Sequence, residues 1–247
     1  MNADLIAEPP QGASRDVRYP TYFHLLADVH RRFRPARYLE IGVDQGDSLS
    51  LVRPETRIVG VDPKPQVTAL NHPDWTVVTA TSEEFFRSHD VLGLLGGPVD
   101  LAFVDGLHHF EVAMADVLAI EPHAHPGTVV LVHDVVPIDA PTSTRNRTGA
   151  VWSGDVWKAV VLLREHRPDL TITTLNVEPT GMAVITGFGG RPSTSAKHAD
   201  AWVGTAVSGL MSATYDDLQA MGQSEALGLA AGTPRVLEEC LPAPKVP

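Results

Sequence analysis

The chain has 247 residues, of which 43% are hydrophobic, and a formal net charge of -11 at pH 7. This composition suffices for one large folded domain and argues against a chain that is disordered throughout. The acidic balance and the lack of clustered Lys and Arg argue against a nucleic-acid partner and favour a small or neutral substrate. Cys240 is the single cysteine, so no intrachain disulfide can form.

The N-terminal sequence lacks the basic and apolar regions of a secretion signal. No apolar run approaches the roughly 20 residues that a membrane span requires. We therefore expect a cytoplasmic protein without a membrane partner. Residues 1–18 are polar and contain proline, which predicts a flexible N-terminal arm.

Apolar strand patterns alternate with helical ones between residues 22 and 188. The predicted strands are 37–43, 57–62, 75–80, 99–105, 128–135, 170–177 and 182–188, and the predicted helices are 22–29, 46–52, 82–89, 109–120 and 156–166. This alternation predicts an α/β fold, a Rossmann-like, doubly wound sheet of seven mostly parallel strands. A turn-forming segment separates the last two strands, so we expect an antiparallel hairpin at the edge of the sheet.

The domain boundaries follow from where this pattern begins and ends. Residues 19–190 are predicted to form one domain, in which the unpatterned segment 137–154 is a long loop that acts as a lid. Residues 191–247 form a C-terminal extension with weaker helical stretches at 199–211 and 215–221. A helical cap, a homodimer element and a partly mobile tail are all open alternatives for this extension.

A glycine turn, YLEIGVDQGDS at residues 38–48, is the strongest functional motif. Glycine has no Cβ and tolerates positive φ, so such a turn allows the backbone to approach a nucleotide-like ligand closely. Gly42 and Gly46 would then face the ligand, although a tight turn without a ligand is the alternative. Asp44 stands where a dinucleotide-binding fingerprint has its second glycine, which disfavours NAD.

These motifs together resemble a known family. The first is similar to E-x-G-x-x-x-G-x-S, and it is followed by the acid Asp62 at the end of the second strand. A further block, DLAFVDG with His108 and His109, precedes PGTVVLVHD, which ends in His133 and Asp134. From residue 22 to 188 the chain resembles the class I S-adenosylmethionine-dependent methyltransferases, and within them the small-molecule and sugar O-methyltransferases.

The resemblance implies where S-adenosyl-L-methionine binds. A carboxylate such as Asp62 can accept two hydrogen bonds from a ribose diol, although an ordinary capping aspartate is the alternative. The turn would admit the methionine portion, and Glu40 would order that turn or meet the methionine ammonium. Ser82 follows the third strand, where the family places its adenine contacts. The full set of predicted cofactor residues is Glu40, Gly42, Gly46, Ser48, Asp62, Ser82 and Asp105.

The reaction centre is predicted at the ends of the fourth and fifth strands. A hydroxyl acceptor must lose its proton, either to a general base or with the help of a divalent cation. By resemblance to metal-dependent O-methyltransferases, Asp105, His133 and Asp134 would hold Mg²⁺, with Mn²⁺ as the alternative. His108 stands where catechol enzymes have a catalytic lysine, so we expect it to be the base.

Simpler interpretations of these residues remain open. His108 could merely begin a helix, His133 could be a buried strand-end histidine, and Asp134 could cap a turn. Around the lid, Arg145, Arg147 and Trp152 could contact a sugar, whereas Trp157 is equally well explained as core.

The sequence thus predicts a metal-assisted O-methyltransferase that acts on a hydroxyl of a sugar, an oligosaccharide or a natural product. A metal-free enzyme with His108 or His133 as the sole base is the nearest alternative. Two others are a nucleotide-dependent oxidoreductase, disfavoured because no Tyr-x-x-x-Lys pair is present, and a non-catalytic cofactor-binding scaffold.

Overall fold

An eight-stranded mixed sheet forms the centre of the computed structural model, which describes residues 14–189 and 196–242. The other residues of the predicted arm and extension lie outside the described ranges. The strands are β1 Arg37–Ile41, β2 Arg57–Asp62, β3 Trp75–Thr79, β4 Val99–Val104, β5 Ala124–His133, β6 Thr171–Asn176, β7 Met182–Thr186 and β8 Leu229–Ala231.

The strands lie in the order β3-β2-β1-β4-β5-β7-β6-β8. All neighbouring pairs are parallel except β5 with β7 and β6 with β7, which are antiparallel. The predicted Rossmann-like, doubly wound α/β fold is therefore confirmed. The order of the strands changes direction between β1 and β4. In sheets of this kind, ligands bind at the point of this change, beyond the carboxyl ends of the strands.

Helices cover both faces of the sheet. The α-helices in the described residues are α1 Tyr22–Phe33, α2 Ser82–Ser88, α3 Val91–Leu95, α4 Phe110–Ile120, α5 Trp157–His166, α6 Ala196–Leu210, α7 Tyr215–Ala220, α8 Gln223–Leu227 and α9 Pro234–Cys240. One core cluster contains side chains from the helices α2, α3, α4, α5, α7 and α8. A second cluster contains side chains from α1 and α9. Because both faces are covered, β4 is buried along its whole length, as its continuous apolar sequence predicts.

Helix α1 packs its Leu25, Leu26 and Val29 side chains into the second core cluster. Arg34 follows the helix, and its left-handed φ of 52° stops the helical hydrogen-bond pattern. At the other end of α1, the N–H of its first residue, Tyr22, donates to the carbonyl oxygen of Glu178 at 2.9 Å.

The predicted helix at 46–52 is wrong. Only one turn of 3₁₀-helix, Leu49–Leu51, forms after the glycine turn. Ser50 donates its hydroxyl to the carbonyl of Asp47, and such local hydrogen bonds compete with helical ones. Pro54 follows closely and disfavours a helical conformation at Arg53, so the segment has no room to continue as a helix.

The C-terminal extension contributes the strand that the sequence analysis missed. β8 pairs in parallel with β6, so the predicted hairpin does not lie at the edge, and the sheet has eight strands instead of seven. Three residues between Gly228 and Gly232 are too short for an alternating pattern. The described end of the predicted arm lies nearby, where Arg15 forms an ion pair with Glu238 at 2.8 Å.

Trp157, for which a sugar contact and a core position were both open, is 1% exposed and belongs to the core. Across the described ranges, the helices are all too short or too polar to cross a membrane.

Candidate active site

A cavity of about 810 Å³ opens at the carboxyl ends of the central strands. It is lined by Tyr22, Phe23, Ile41, Gly42, Val43, Asp44, Gln45, Asp47, Ser48, Val61, Asp62, Pro63, Thr81, Ser82, Glu83, Asp105, Gly106, Leu107, His108, Val112, His133, Asp134, Arg147, Ala150, Val151, Trp152 and Pro179. The glycine turn and the predicted reaction centre thus share one cavity.

The turn after β1 requires glycine at position 42. Gly42 has a φ of 91°, and a Cβ there would lie 2.1 Å from the carbonyl oxygen of Asp105. The turn can therefore pack directly against the end of β4 only because this residue has no side chain. The close contact brings the glycine turn and Asp105 to one wall of the cavity.

Asp62 at the end of β2 holds the same turn in place. Its Oδ2 accepts hydrogen bonds from the N–H groups of Val43 and Asp44, each at 3.0 Å, and its Oδ1 accepts one from Lys64 at 2.7 Å. Each carboxylate oxygen has two lone pairs, so Oδ2 is fully used and one lone pair remains on Oδ1. The structural bonds therefore leave room for one of the two hydrogen bonds predicted from a ribose diol.

Glu40 lies beneath the turn and does not line the cavity. It is 0% exposed and accepts hydrogen bonds from the hydroxyls of Ser48 and Tyr38. Burial raises the pKa of Glu40 to about 8, although these two hydrogen bonds oppose the rise. Of the two roles predicted for Glu40, this position matches ordering of the turn and not contact with a ligand ammonium.

Ser82 begins α2 and lines the cavity beside Thr81. The Thr81 hydroxyl and the Glu84 carboxylate form a reciprocal capping box, in which each accepts a main-chain N–H of the other residue. This cap fixes the first turn of α2 at the position where the family resemblance predicts adenine contacts.

Asp105, His108 and Asp134 converge at the other end of the cavity. One potential ligand atom from each residue lies within 4.8 Å of those of the other two. In the described ranges, no other three Asp, Glu, His or Cys residues come together in this way. His108 Nδ1 is 3.1 Å from Asp134 Oδ2, and His108 Nε2 is 3.5 Å from Asp105 Oδ1. The donor set of two carboxylates and one imidazole suits a divalent cation such as Mn²⁺ or Mg²⁺.

His133 lies behind this group and is 6% exposed. Its Nδ1 is 3.3 Å from Asp105 Oδ1 and 3.5 Å from Asp134 Oδ2, while its ring stacks on Tyr22 with centroids 4.0 Å apart. Burial opposes a charge on the imidazole, but the two carboxylates outweigh it and raise the pKa of His133 to about 10. The sequence analysis predicted that His133 would bind a metal together with Asp105 and Asp134, whereas the structure groups His108 with these two carboxylates.

The charges of the cluster stabilise one another. Burial works against the charge on Asp105, yet His133 and His108 hold the pKa of its carboxyl well below the usual range. Burial likewise lowers the pKa of His108, but Asp105 and Asp134 outweigh it and raise that pKa above its ordinary value. Binding of a cation to these atoms would displace the proton from the imidazole, as at other metal sites.

The main chain at Asp134 is unusual. Its φ of 62° is left-handed, a conformation that aspartate tolerates better than most residues and that clusters at functional sites. The Thr180 hydroxyl donates a hydrogen bond to Oδ1 of Asp134 and so fixes the carboxylate. The other oxygen, Oδ2, faces His108.

The loop predicted as a lid covers this cluster. Trp152 stacks on His108 with ring centroids 4.8 Å apart, and its carbonyl oxygen is 2.8 Å from His108 Nδ1. Arg145 anchors the loop from outside the cavity, because its guanidinium binds both Glu111 and Asp155. Arg147 lines the cavity, whereas Arg145 does not.

The structure brings most of the predicted site residues to one cavity, with Glu40 and Gly46 behind its wall. The sequence analysis missed Tyr22 and Phe23, which line the cavity from α1, and Pro179, which follows β6. The Tyr22 position belongs to the same apolar helical face as Leu25 and Val29, so nothing in the local pattern distinguishes it from core.

Residues 39–135 match a family described as "Methyltransferase domain". No curated protein sequence matches the chain. Among solved structures, cofactor-bound Rv0187 from MTB is 19% identical, with 74% of this chain and 84% of that one covered and a TM-score of 0.52. TomG from Streptomyces achromogenes, an O-methyltransferase of tomaymycin synthesis in complex with SAM, is 22% identical over 76% of this chain and 83% of that one, with a TM-score of 0.51.

A third structure, SAH-bound methyltransferase PaMTH1 of Podospora anserina, is 19% identical over 66% of this chain and 76% of that one, with a TM-score of 0.51. At these identities the three structures demonstrate a shared fold. The fold, the glycine turn and the match of residues 39–135 make this chain similar to the class I S-adenosylmethionine-dependent methyltransferases. The matched segment begins in β1 and ends just after β5, so it carries both the glycine turn and the Asp105–His108–Asp134 group.

Proposed function

We propose that this enzyme transfers the methyl group of S-adenosylmethionine to a hydroxyl oxygen of a small organic acceptor, with a divalent cation held by Asp105, His108 and Asp134. The observation that carries the proposal is the convergence of these three side chains, within 4.8 Å, in the cavity that also contains the glycine turn. Methyl transfer is an in-line displacement, so the acceptor and the methyl donor must occupy one enclosed space.

The surroundings of the three residues support a cation. A metal-bound histidine usually donates its other ring N–H to a carbonyl or carboxylate, and His108 Nδ1 lies 2.8 Å from the Trp152 carbonyl oxygen. Its Nε2 is then the nitrogen that remains for a cation beside Asp105. A divalent cation bound there would lower the pKa of an acceptor hydroxyl, which would release its proton to bulk water as the acceptor binds and before the methyl group is transferred.

The protein residues have separate tasks in this proposal. Asp105 and Asp134 supply the anionic ligands, and His133 fixes both carboxylates from behind. Trp152 and the adjoining lid residues keep water from the reacting atoms. In this proposal His108 is a ligand where the sequence analysis predicted a base, and His133 is a positioning residue where it predicted a ligand.

A metal-free O-methyltransferase is the second candidate. Its supporting observation is the 3.1 Å separation between His108 Nδ1 and Asp134 Oδ2, since a carboxylate in that position orients an imidazole that acts as a base. The two candidates share the methyl donor and the acceptor group and differ in what removes the acceptor proton.

We propose a hydroxylated natural product, such as a saccharide attached to an apolar portion, as the acceptor. Leu107 and Val151 line the cavity with 53% and 43% of their surface exposed, which suits an apolar portion of a ligand. Acidic side chains at Asp44, Asp47 and Glu83 line its other end and would repel a phosphate backbone.

Methyl transfer from labelled S-adenosylmethionine to a panel of sugars, oligosaccharides, phenols, amines, thiols and compounds with an activated carbon tests the proposal. We expect turnover with Mg²⁺ or Mn²⁺ and its loss in EDTA, restored when the cation is added back. Turnover that persists in EDTA would replace the cation with the His108 base. Transfer only to nitrogen, sulfur or carbon acceptors would contradict O-methylation.

A further inference from the structure

Tyr22 lines the cavity and has no assigned role so far. It is the first residue of α1 and lines the cavity together with residues from the ends of β1, β4 and β5. Its ring is fixed by two neighbours, since its centroid is 4.0 Å from that of His133 and 4.2 Å from that of Phe23. The position of its hydroxyl is therefore set by packing before any ligand binds.

The hydroxyl of Tyr22 differs from those of two other tyrosines of the same face. Tyr19 donates to Asp28, and Tyr38 donates to Glu40, each at 2.5 Å. By contrast, the Tyr22 hydroxyl has no hydrogen-bond partner in the part of the chain that the structure describes. A polar group in a cavity wall without a partner is available to a ligand.

Both signs of charge lie near Tyr22, because its ring stacks on the protonated His133 and several carboxylates lie around it. Burial first, and then the carboxylates of Asp105, Asp134, Glu40 and Asp47, raise the pKa of Tyr22 well above its ordinary value. The hydroxyl therefore keeps its proton, and its oxygen presents lone pairs and no full charge. A cation brought to this position would be attracted by the oxygen and by the aspartates nearby, while the protonated His133 would oppose part of that attraction.

The position of Tyr22 identifies which part of the methyl donor it meets. Asp47 belongs to the glycine turn, where the methionine portion is predicted, and Asp105 with Asp134 forms the predicted acceptor end. The sulfonium joins the methionine portion to the methyl group that must point at the acceptor. It therefore has to lie between these two sets of carboxylates, and Tyr22 is close enough to feel the charges of both sets.

We propose that the Tyr22 hydroxyl oxygen contacts the sulfonium of bound S-adenosylmethionine and makes the site selective for the charged donor over the neutral product. This assignment rests on the proposed function of the cavity, in which methyl transfer converts the sulfonium to the uncharged thioether of S-adenosylhomocysteine. Loss of that charge removes the attraction to Tyr22 and so favours exchange of product for fresh donor.

Isothermal titration calorimetry of Tyr22→Phe with S-adenosylmethionine and with S-adenosylhomocysteine, both without acceptor, tests the assignment. The substitution keeps the ring contacts with His133 and Phe23 and removes only the oxygen. We expect the Kd for S-adenosylmethionine to rise about fivefold, the effect of one lost polar contact. The Kd for S-adenosylhomocysteine should change by less than about twofold.

Tyr19→Phe is the matched control, because it removes a tyrosine hydroxyl three residues away that is bonded to Asp28 outside the cavity. It should leave the ratio of the two Kd values at its wild-type level. An unchanged ratio in Tyr22→Phe, whether both affinities fall together or neither falls, would overturn the assignment. If the ratio changes as expected but the wild-type enzyme methylates no hydroxyl, the proposed O-methylation fails and the Tyr22 assignment stands.

Discussion

The imidazole of His108 is held between the ring and the carbonyl group of Trp152. The two ring centroids are 4.8 Å apart, and Nδ1 of His108 lies 2.8 Å from the Trp152 carbonyl oxygen. One residue of the lid thus fixes both the plane of the imidazole and the nitrogen that can act as a hydrogen-bond donor. The position of this loop and the orientation of the His108 ring are therefore coupled.

We expect His108→Gln to lower methyl-transfer turnover by about 100-fold or more, the effect of losing a ligand or a base from a reaction centre. Affinity for S-adenosylhomocysteine should remain within about twofold of wild type, because the glycine turn and Asp62 are untouched. Steady-state kinetics and calorimetry measure the two quantities.

His125→Gln is the control for His108→Gln. His125 binds Asp100 at 2.9 Å and does not line the cavity. Its substitution should leave turnover near wild type. Equal losses of turnover in the two variants would argue against a reaction role for His108.

Arg145→Gln should loosen the lid. The guanidinium NH1 of Arg145 lies 3.0 Å from Glu111 and 2.9 Å from Asp155, and neither interaction survives in full with an amide. We expect the KM for the acceptor to rise about tenfold, because the lid must then be ordered at the expense of binding energy. The KM for S-adenosylmethionine should change much less, since its predicted contacts lie on the glycine turn.

Arg57→Gln provides the comparison for the lid variant, because Arg57 pairs with Asp74 at the surface, outside the cavity. Its kinetic constants should match those of wild type. A rise in KM for the methyl donor equal to that for the acceptor in Arg145→Gln would contradict a lid-specific role.

Asp62→Asn should weaken binding of S-adenosylmethionine by about tenfold or more. An amide NH₂ would face one of the main-chain N–H groups of Val43, Asp44 or Lys64, all of which now donate to the carboxylate. The turn and the predicted ribose contact would be disturbed together. Calorimetry against Asp74→Asn, which alters a surface carboxylate, separates this effect from a general effect of charge.

His30 makes stability depend on pH at a distance from the cavity. It is 1% exposed, and its two ring nitrogens have no hydrogen-bond partner in the described structure. Burial first, and then the nearby charges of Arg53 and His72, lower the pKa of His30 from 6.5 to about 3. The folded protein therefore keeps His30 neutral where the unfolded chain binds a proton.

Because the unfolded state binds more protons, the free energy of unfolding falls as the pH drops below 6.5 and continues to fall toward 3. At pH 5 the loss due to His30 is about 2 kcal/mol. His30→Leu should remove this part of the slope in urea unfolding between pH 7 and pH 5. His89→Gln, at an exposed histidine, is the control for the loss of an imidazole. If the free energy of unfolding of His30→Leu depends on pH as steeply as that of wild type, the prediction is wrong.

Much of the fold could be predicted from the sequence because its strands are locally encoded. Continuous apolar runs mark β4 and β5, and the polar turn between β6 and β7 marks their hairpin. The prediction failed for the segment 46–52, where hydrogen bonds of a serine side chain and a nearby proline oppose a helix. This segment forms only the 3₁₀ turn Leu49–Leu51. β8 was missed because three residues carry no period, and its pairing with β6 depends on contacts far along the chain.

The sequence by itself predicted the class of cofactor. Gly42 and Asp62 come from motifs whose spacing follows a strand end, and local geometry then requires a close turn and a carboxylate beside it. Tertiary structure alone decided which histidine joins Asp105 and Asp134, because His108 and His133 are 25 positions apart in the sequence and both adjoin the same carboxylates. It also brought Tyr22 from the first helix to the cavity, since packing of an apolar helical face against a sheet cannot be read from that face alone.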